Sequence, residues 1–197
     1  MLSTRALRHC VAAGLLLFVG LASPSAAQRP APRAVMTLSS PAFPDGALIP
    51  ATHAQTGRDV SPPLTWSGVP DSIRSFVLIV HDLDALVGDG NDDVLHWMVW
   101  NIPATATSLP AGVPSGAQLD NGTRQISISG PYYRGPAAPA SGPPHHYVFE
   151  LYALDITLNI APTAMSPAAT REAVLRATAG HIRGKGVLTG RYQRPSP

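Results

Sequence analysis

The sequence predicts a mainly β protein, an antiparallel two-sheet sandwich with one or two small helices, and three observations carry that prediction. Short apolar runs rich in Val, Ile, Phe, Trp and Tyr recur along the chain, as pleated packing favours. Twenty of the 21 prolines lie beyond residue 27, spread between those runs. A residue without a backbone N–H marks strand ends and turns there. One stretch alone, near the C-terminus, carries helix start and stop signals together.

Taken in order, residues 1–27 have the marks of a signal peptide: Arg5 and Arg8, an apolar stretch over 11–21, and the small cleavage-site residues Ser25-Ala26-Ala27. The apolar stretch falls short of the roughly 20 residues a membrane span needs. The expectation is an exported protein, periplasmic or secreted, with no transmembrane anchor after cleavage. Residues 28–34, Pro-rich and polar, are expected to be a flexible lead-in, and residues 35–194 a single domain. The 170 residues left after cleavage are enough for one sizeable core. Strands are expected at 74–80 (RSFVLIV), 97–102 (WMVWNI), 148–154 (VFELYAL) and about 186–192 (GVLTGRY). Before the last of these, Ser166 supplies an N-cap, Pro167 suits the first helical position, 168–179 holds good helix formers, and Gly180 is a C-terminal stop.

The 14 Lys and Arg include Arg5 and Arg8, so the remaining chain sets 12 bases against 12 acids. No phosphate-tracking basic stripe remains, and nucleic acid is not an expected partner. The one cysteine, Cys10, lies in the signal segment. The exported chain is therefore expected to carry no disulfide, thiol nucleophile or Cys-ligated metal.

The most informative feature is the stretch 81–96, HDLDALVGDGNDDVLH, followed downstream by His145-His146-Tyr147. Read as a polar loop between two strands, it sets Asp82, Asp84 and His96 at strand mouths. Ionisable groups are costly to desolvate there unless they pair or bind something. A second polar set, 130–147, runs into the third strand. Strands ending in His, Asp and Tyr point to one shared pocket; the alternative is that these residues sit on separate surface loops.

Several chemistries compete for such a pocket. Zinc could use His96, His145, His146, Asp82 and Asp84, yet neither HExxH nor His-x-His spacing is present. The acidic turn 89–93 lacks an EF-hand's register and terminal Glu. A serine hydrolase lacks its G-x-S-x-G. A small anion fits best: histidines and a tyrosine hydroxyl donate, a Gly-Pro loop brings backbone N–H groups close, and a carboxylate orients and charges the imidazoles. No catalytic residue, metal or cofactor is assigned. Trp66, Trp97 and Trp100 read as core or pocket wall, and Arg124 and Arg134 as solvated loop positions or phosphate contacts.

These residues also carry a resemblance. MTLSSPAFPDGALIP, VSPPLTWSGVP, SFVLIVHDLDA, HWMVWNIPA, GPYYRGPAAP, GPPHHYVFELYALD and GHIRGKGVLTGRY together make the chain similar to the bacterial branch of the phosphatidylethanolamine-binding protein family, also called Raf kinase inhibitor-like proteins. The likeness runs from about residue 36 to 192. It implies a two-sheet antiparallel β-fold with a pocket for phosphate-like groups, including phospholipid headgroups. By position, the family's Asp-Pro-Asp motif falls on Asp82-Leu83-Asp84, its pocket histidine on His96, its His-Arg-Tyr on His145-His146-Tyr147, and its rim on 135–139. The implied ligand-binding residues are Asp82, Asp84, His96, His145 and Tyr147, with Gly135, Pro136 and Pro139 on the rim. The chain departs from the pattern at Leu83, Leu86, Ala137, Ala138 and His146, and by its acids at Asp89, Asp92 and Asp93, which bear on rim rigidity and ligand choice.

The leading expectation is a non-enzymatic, exported binder of a small anion or phospholipid headgroup, able to modulate a partner protein. In it His96 and His145 donate to the ligand, Asp82 orients both, and Tyr147 adds its hydroxyl or ring. One alternative is an inhibitor of a protease or kinase acting through a surface patch. Another is a hydrolase or isomerase using an Asp/His dyad in the same pocket.

Overall fold

A computed structural model describes residues 33–87, 92–162 and 166–196. The expected signal peptide (1–27), most of the lead-in and part of the acidic turn lie outside these residues. Pairing begins at Ala34, in a two-residue strand β1 (Ala34–Val35). There follow β2 (Thr37–Ser39), a 3-10 turn (Ala51–His53), β3 (Leu64–Ser67), β4 (Ser75–Val87), β5 (Asp92–Pro103) and β6 (Ser108–Leu109). The chain closes with β7 (Arg124–Ile126), β8 (His145–Leu154), helix α1 (Pro167–Thr178) and β9 (Ile182–Tyr192). The large sheet has the order β1-β9-β8-β4-β5-β7 and the small one β2-β3-β6. All neighbours are antiparallel except β1 and β9, which run parallel.

Why β4 reads as an unbroken apolar run follows from its place in the sheet. Its two faces meet different cores. Phe76, Leu78 and Val80 face the small sheet with Leu38, Leu64, Trp66, Val99, Phe149 and Leu151. Val77 and Ile79 face the other way, with Met98, Trp100, Leu158 and Val174 of α1. Alternation therefore vanishes in β4 and returns in β8 and β9, toward the sheet edge. Along β9, Gly184, Gly186 and Gly190 let the small sheet's side approach closely: a Cβ on Gly190 would lie 2.4 Å from the Ile49 side chain.

The helix forms where its signals place it. Ser166 Oγ accepts from Ala169 N at 3.3 Å, and Gly180, with φ +81°, ends it. Thr170, Val174 and Thr178, four apart, make its buried face. The strands, by contrast, run beyond their apolar cores. The stretch 81–96 is no open loop: β4 continues to Val87 and β5 begins at Asp92, so Asp82 and His96 lie within paired strands. His145-His146-Tyr147 likewise opens β8 instead of preceding it. Among the described residues no helix is long and apolar enough to cross a membrane.

Candidate functional site

Two irregularities in the β4–β5 ladder build the site. Val80 pairs with Trp97 and His81 with Leu95, so His96 is the extra residue of a β-bulge. In a regular strand His96 would face the helix side, opposite Trp97. The bulge re-aims it toward the inter-sheet side. There its ring meets Tyr147 edge-on, with centroids 5.0 Å apart and planes at 82°. Farther along, Asp82 pairs with Val94 and Leu86 with Asp93, so 83–85 loop out. Asp84 N and Ala85 N then turn back and donate to Asp82 Oδ1 at 3.0 and 3.2 Å.

The third strand supplies the remaining groups. Asp82 lies directly across from Tyr147 in the β4–β8 ladder. Its Oδ2 accepts from His145 Nδ1 at 2.9 Å, although Asp82 is only 3% exposed. The Tyr147 hydroxyl accepts from Ala137 N at 3.2 Å and Ala138 N at 3.1 Å, which pins the rim loop to β8. Burial pushes the Tyr147 pKa up, the Ala137 and Ala138 amides oppose this and Asp82 adds to it, so the hydroxyl keeps its proton. His96 donates Nδ1–H to the Arg134 carbonyl at 2.6 Å, and Arg134 N returns a bond to the His96 carbonyl at 3.0 Å. Burial holds the His96 pKa below its usual value, outweighing the Arg134 carbonyl and the Asp82 charge that favour protonation.

The structure thus brings Asp82, His96, His145 and Tyr147 together around one end of the large sheet. Asp84 belongs to the periphery: it is exposed and accepts from His146 N at 2.6 Å and His146 Nδ1 at 2.9 Å. Those contacts, the backbone amide foremost, lower its pKa. Gly135 and Pro136 are buried, whereas Pro139 is exposed.

Three sequence expectations need correction. Asp82 orients His145 only; the ring of His96 is set by a backbone carbonyl that no motif could announce. The rim offers no spare backbone donor, since Gly135 N goes to Asp59 Oδ1 at 2.6 Å, Ala137 and Ala138 N go to Tyr147, and residues 136 and 139 are prolines. Of the acids at 89, 92 and 93 expected to bear on ligand choice, Asp89 lies outside the described residues and Asp93 does not face His96. Asp93 turns to the helix side, where it meets His81 Nδ1 at 2.5 Å and pairs with Arg171 of α1. Burial alone would raise the Asp93 pKa, but those two partners hold it well below the carboxylate range.

One positioning element was missed: the 51–60 segment. Gln55 Nε2 donates to the Gly135 carbonyl at 2.7 Å, Tyr133 Oη donates to the His53 carbonyl at 2.9 Å, and Asp59 also meets Arg134 Nη1 at 3.2 Å. The available signal was Asp59 itself, an isolated acid just before the proline-rich VSPPL. Among the described residues no three His, Cys, Asp or Glu side chains converge as a metal ion requires.

Comparison with known proteins agrees with this architecture. Residues 39–193 match the family model "Phosphatidylethanolamine-binding protein". A UPF0098 protein of Methanothermobacter thermautotrophicus is 39% identical over 161 residues, covering 81% of this chain and 99% of its own length. The Mycobacterium tuberculosis protein named "Putative lipoprotein LppC" is 36% identical over 168 residues, covering 83% of this chain and 78% of its own. The crystal structure of YbcL from Escherichia coli, described as a new member of the mammalian family, superposes with a TM-score of 0.66 at 28% identity, over 81% of this chain and 98% of YbcL. The chain belongs to the phosphatidylethanolamine-binding protein family.

Proposed function

We propose that this chain is an exported protein that binds a small anion, phosphate or a phosphate-bearing headgroup, between His96, His145 and Tyr147. One observation carries the reading: Nδ1 of each imidazole is engaged inside the protein, His145 by Asp82 and His96 by the Arg134 carbonyl. Each ring is held in one orientation with Nε2 left as the ligand-facing atom. Export is supported by the signal-like residues 1–27 and by the likeness to a protein whose name calls it a lipoprotein.

The protonation states set how an anion is held. His96 is neutral near pH 7, because its pKa is lowered by burial, and its Nε2 then accepts. A phosphate carrying one proton donates its O–H to that nitrogen; below the His96 pKa the imidazolium donates instead. Either route consumes a proton that is lost as pH rises, the phosphomonoester's own leaving near pH 6, about as in phosphoserine. Binding therefore weakens with rising pH.

A second reading is favoured by the Asp82–His145 contact, which has the geometry of an acid–base pair. Titrating phosphate and phosphoethanolamine into the protein from pH 5 to 8 tests the first reading. Affinity should fall with pH and disappear in a His96→Ala/His145→Ala variant. A flat profile, or binding that survives the double change, overturns it. Turnover of an ester panel that Asp82→Asn abolishes, with the fold intact, would select the acid–base reading.

A further inference from the structure

We propose that Asp59 is a positioning residue for the pocket, acting on His96 through the Arg134–Gly135 peptide group as Asp82 acts directly on His145. The inference rests on the ligand-site reading for its consequence, but its structural core stands apart from any ligand.

The chemistry lies in one planar peptide. The Arg134 carbonyl and the Gly135 N–H belong to the same trans unit and so point in opposite directions. Asp59 Oδ1 accepts the N–H at 2.6 Å, and the carbonyl accepts His96 Nδ1–H at 2.6 Å. A carboxylate on the N–H side polarises the unit and strengthens its oxygen as an acceptor. His96 is thereby kept as the Nδ1–H tautomer with Nε2 free for the ligand, the orientation a direct carboxylate partner gives His145. The second Asp59 oxygen meets Arg134 Nη1 at 3.2 Å, so one side chain holds both residues of the unit.

The local fold is arranged around this contact. Asp59 adopts φ 54°, a left-handed conformation that Asp and Asn tolerate better than other side chains. Gly135 admits no side chain: a Cβ would lie 2.6 Å from Asp59 Oδ1 and 2.3 Å from the His53 carbonyl. Gln55 and Tyr133 tie the same loops together, but through the carbonyls of Gly135 and His53. Among the described residues, Asp59 alone accepts from the N–H of the peptide whose carbonyl takes the His96 ring proton, while the Gly135 carbonyl held by Gln55 adds a second backbone influence on that ring. The other charged or ionisable groups near His96 are Arg134, Asp82 and Tyr147.

The test is long-range nitrogen–proton NMR of histidine-labelled, ligand-free protein, with phosphate titration alongside. Wild type should show His96 as the Nδ1–H tautomer above its titration midpoint. Asp59→Ala should shift the ring toward the Nε2–H tautomer, lower the midpoint, and weaken phosphate binding about tenfold or more, as loss of a charge-assisted contact predicts. Asp59→Asn keeps an acceptor for Gly135 N and tolerates φ 54°; it should retain the tautomer yet still lower the midpoint, because the charge is gone. An unchanged tautomer in Asp59→Ala overturns the proposal. Should that variant fail to fold, an unchanged midpoint in Asp59→Asn overturns it equally. Wild type that binds no phosphate defeats the ligand-site reading alone, since the tautomer and the midpoint still decide the role of Asp59.

Discussion

Tyr147→Phe removes one oxygen atom and leaves the ring that meets His96. That oxygen accepts from Ala137 N and Ala138 N at 3.2 and 3.1 Å. Ala138 is 3% exposed, so water cannot easily replace the hydroxyl there. Leaving its N–H without a partner costs about 1–3 kcal/mol. Ala137 is only half-buried, and water takes over at a cost of about 1 kcal/mol. The expected loss is about 2–4 kcal/mol in all, far more than for a surface tyrosine. For a domain of this size each kcal/mol lowers Tm by about 2–4 °C. Urea unfolding should show the midpoint falling with the slope unchanged, because the surface exposed on unfolding stays the same. A loss below about 0.5 kcal/mol, the range of ordinary surface changes, would mean the hydroxyl does not hold the rim. Phosphate binding should weaken in the same variant, since rim and hydroxyl are disturbed together.

Three further outcomes are expected. His96 has a folded pKa below the unfolded value of about 6.5, so the unfolded chain gains more protons as pH falls through that value and stability drops. The stability difference between wild type and His96→Gln should therefore shift in favour of wild type from pH 5 to pH 8; parallel curves contradict the assignment. Asp93 is held below its usual pKa by His81 and Arg171, so its contribution is present above pH 4 and fades only in strong acid. Asp93→Asn should cost about 1–3 kcal/mol at pH 7 and converge with wild type in urea titrations as pH falls toward 2. Gly135→Ala places a methyl group against Asp59 Oδ1 and the His53 carbonyl and should cost about 1–3 kcal/mol by overpacking. Unchanged thermal unfolding of that variant would show that the two loops separate freely.

The parts legible in the sequence were those written in local chemistry. A proline after a capping serine and a glycine thirteen residues past that proline marked α1 because caps and stops act within a turn. Apolar runs marked β4, β5, β8 and β9 because burial demands them, and the family resemblance singled out Asp82, His96, His145 and Tyr147, which the pattern alone could equally have left on separate loops. Strand ends were misjudged for the same reason: residues 81–82, 86–87 and 92–95 pair as β-ladder through backbone groups, which side-chain pattern does not record.

By itself, then, the sequence determined the four long strands, the helix and the two-sheet class, and it nominated the side chains of the candidate site. Tertiary structure decided which way those side chains face and what holds them. His96 turns toward Tyr147 on the inter-sheet side only because a bulge opposite Val80 and His81 cancels the period-two alternation of β5. That bulge, in turn, sits against a loop whose Arg134 carbonyl takes the His96 ring proton and whose Gly135 amide is taken by Asp59. Backbone carbonyls and amides are the same at every non-proline position, so no residue code can say which one a distant imidazole will meet. That partner emerges only when strands far apart in the chain are paired in register.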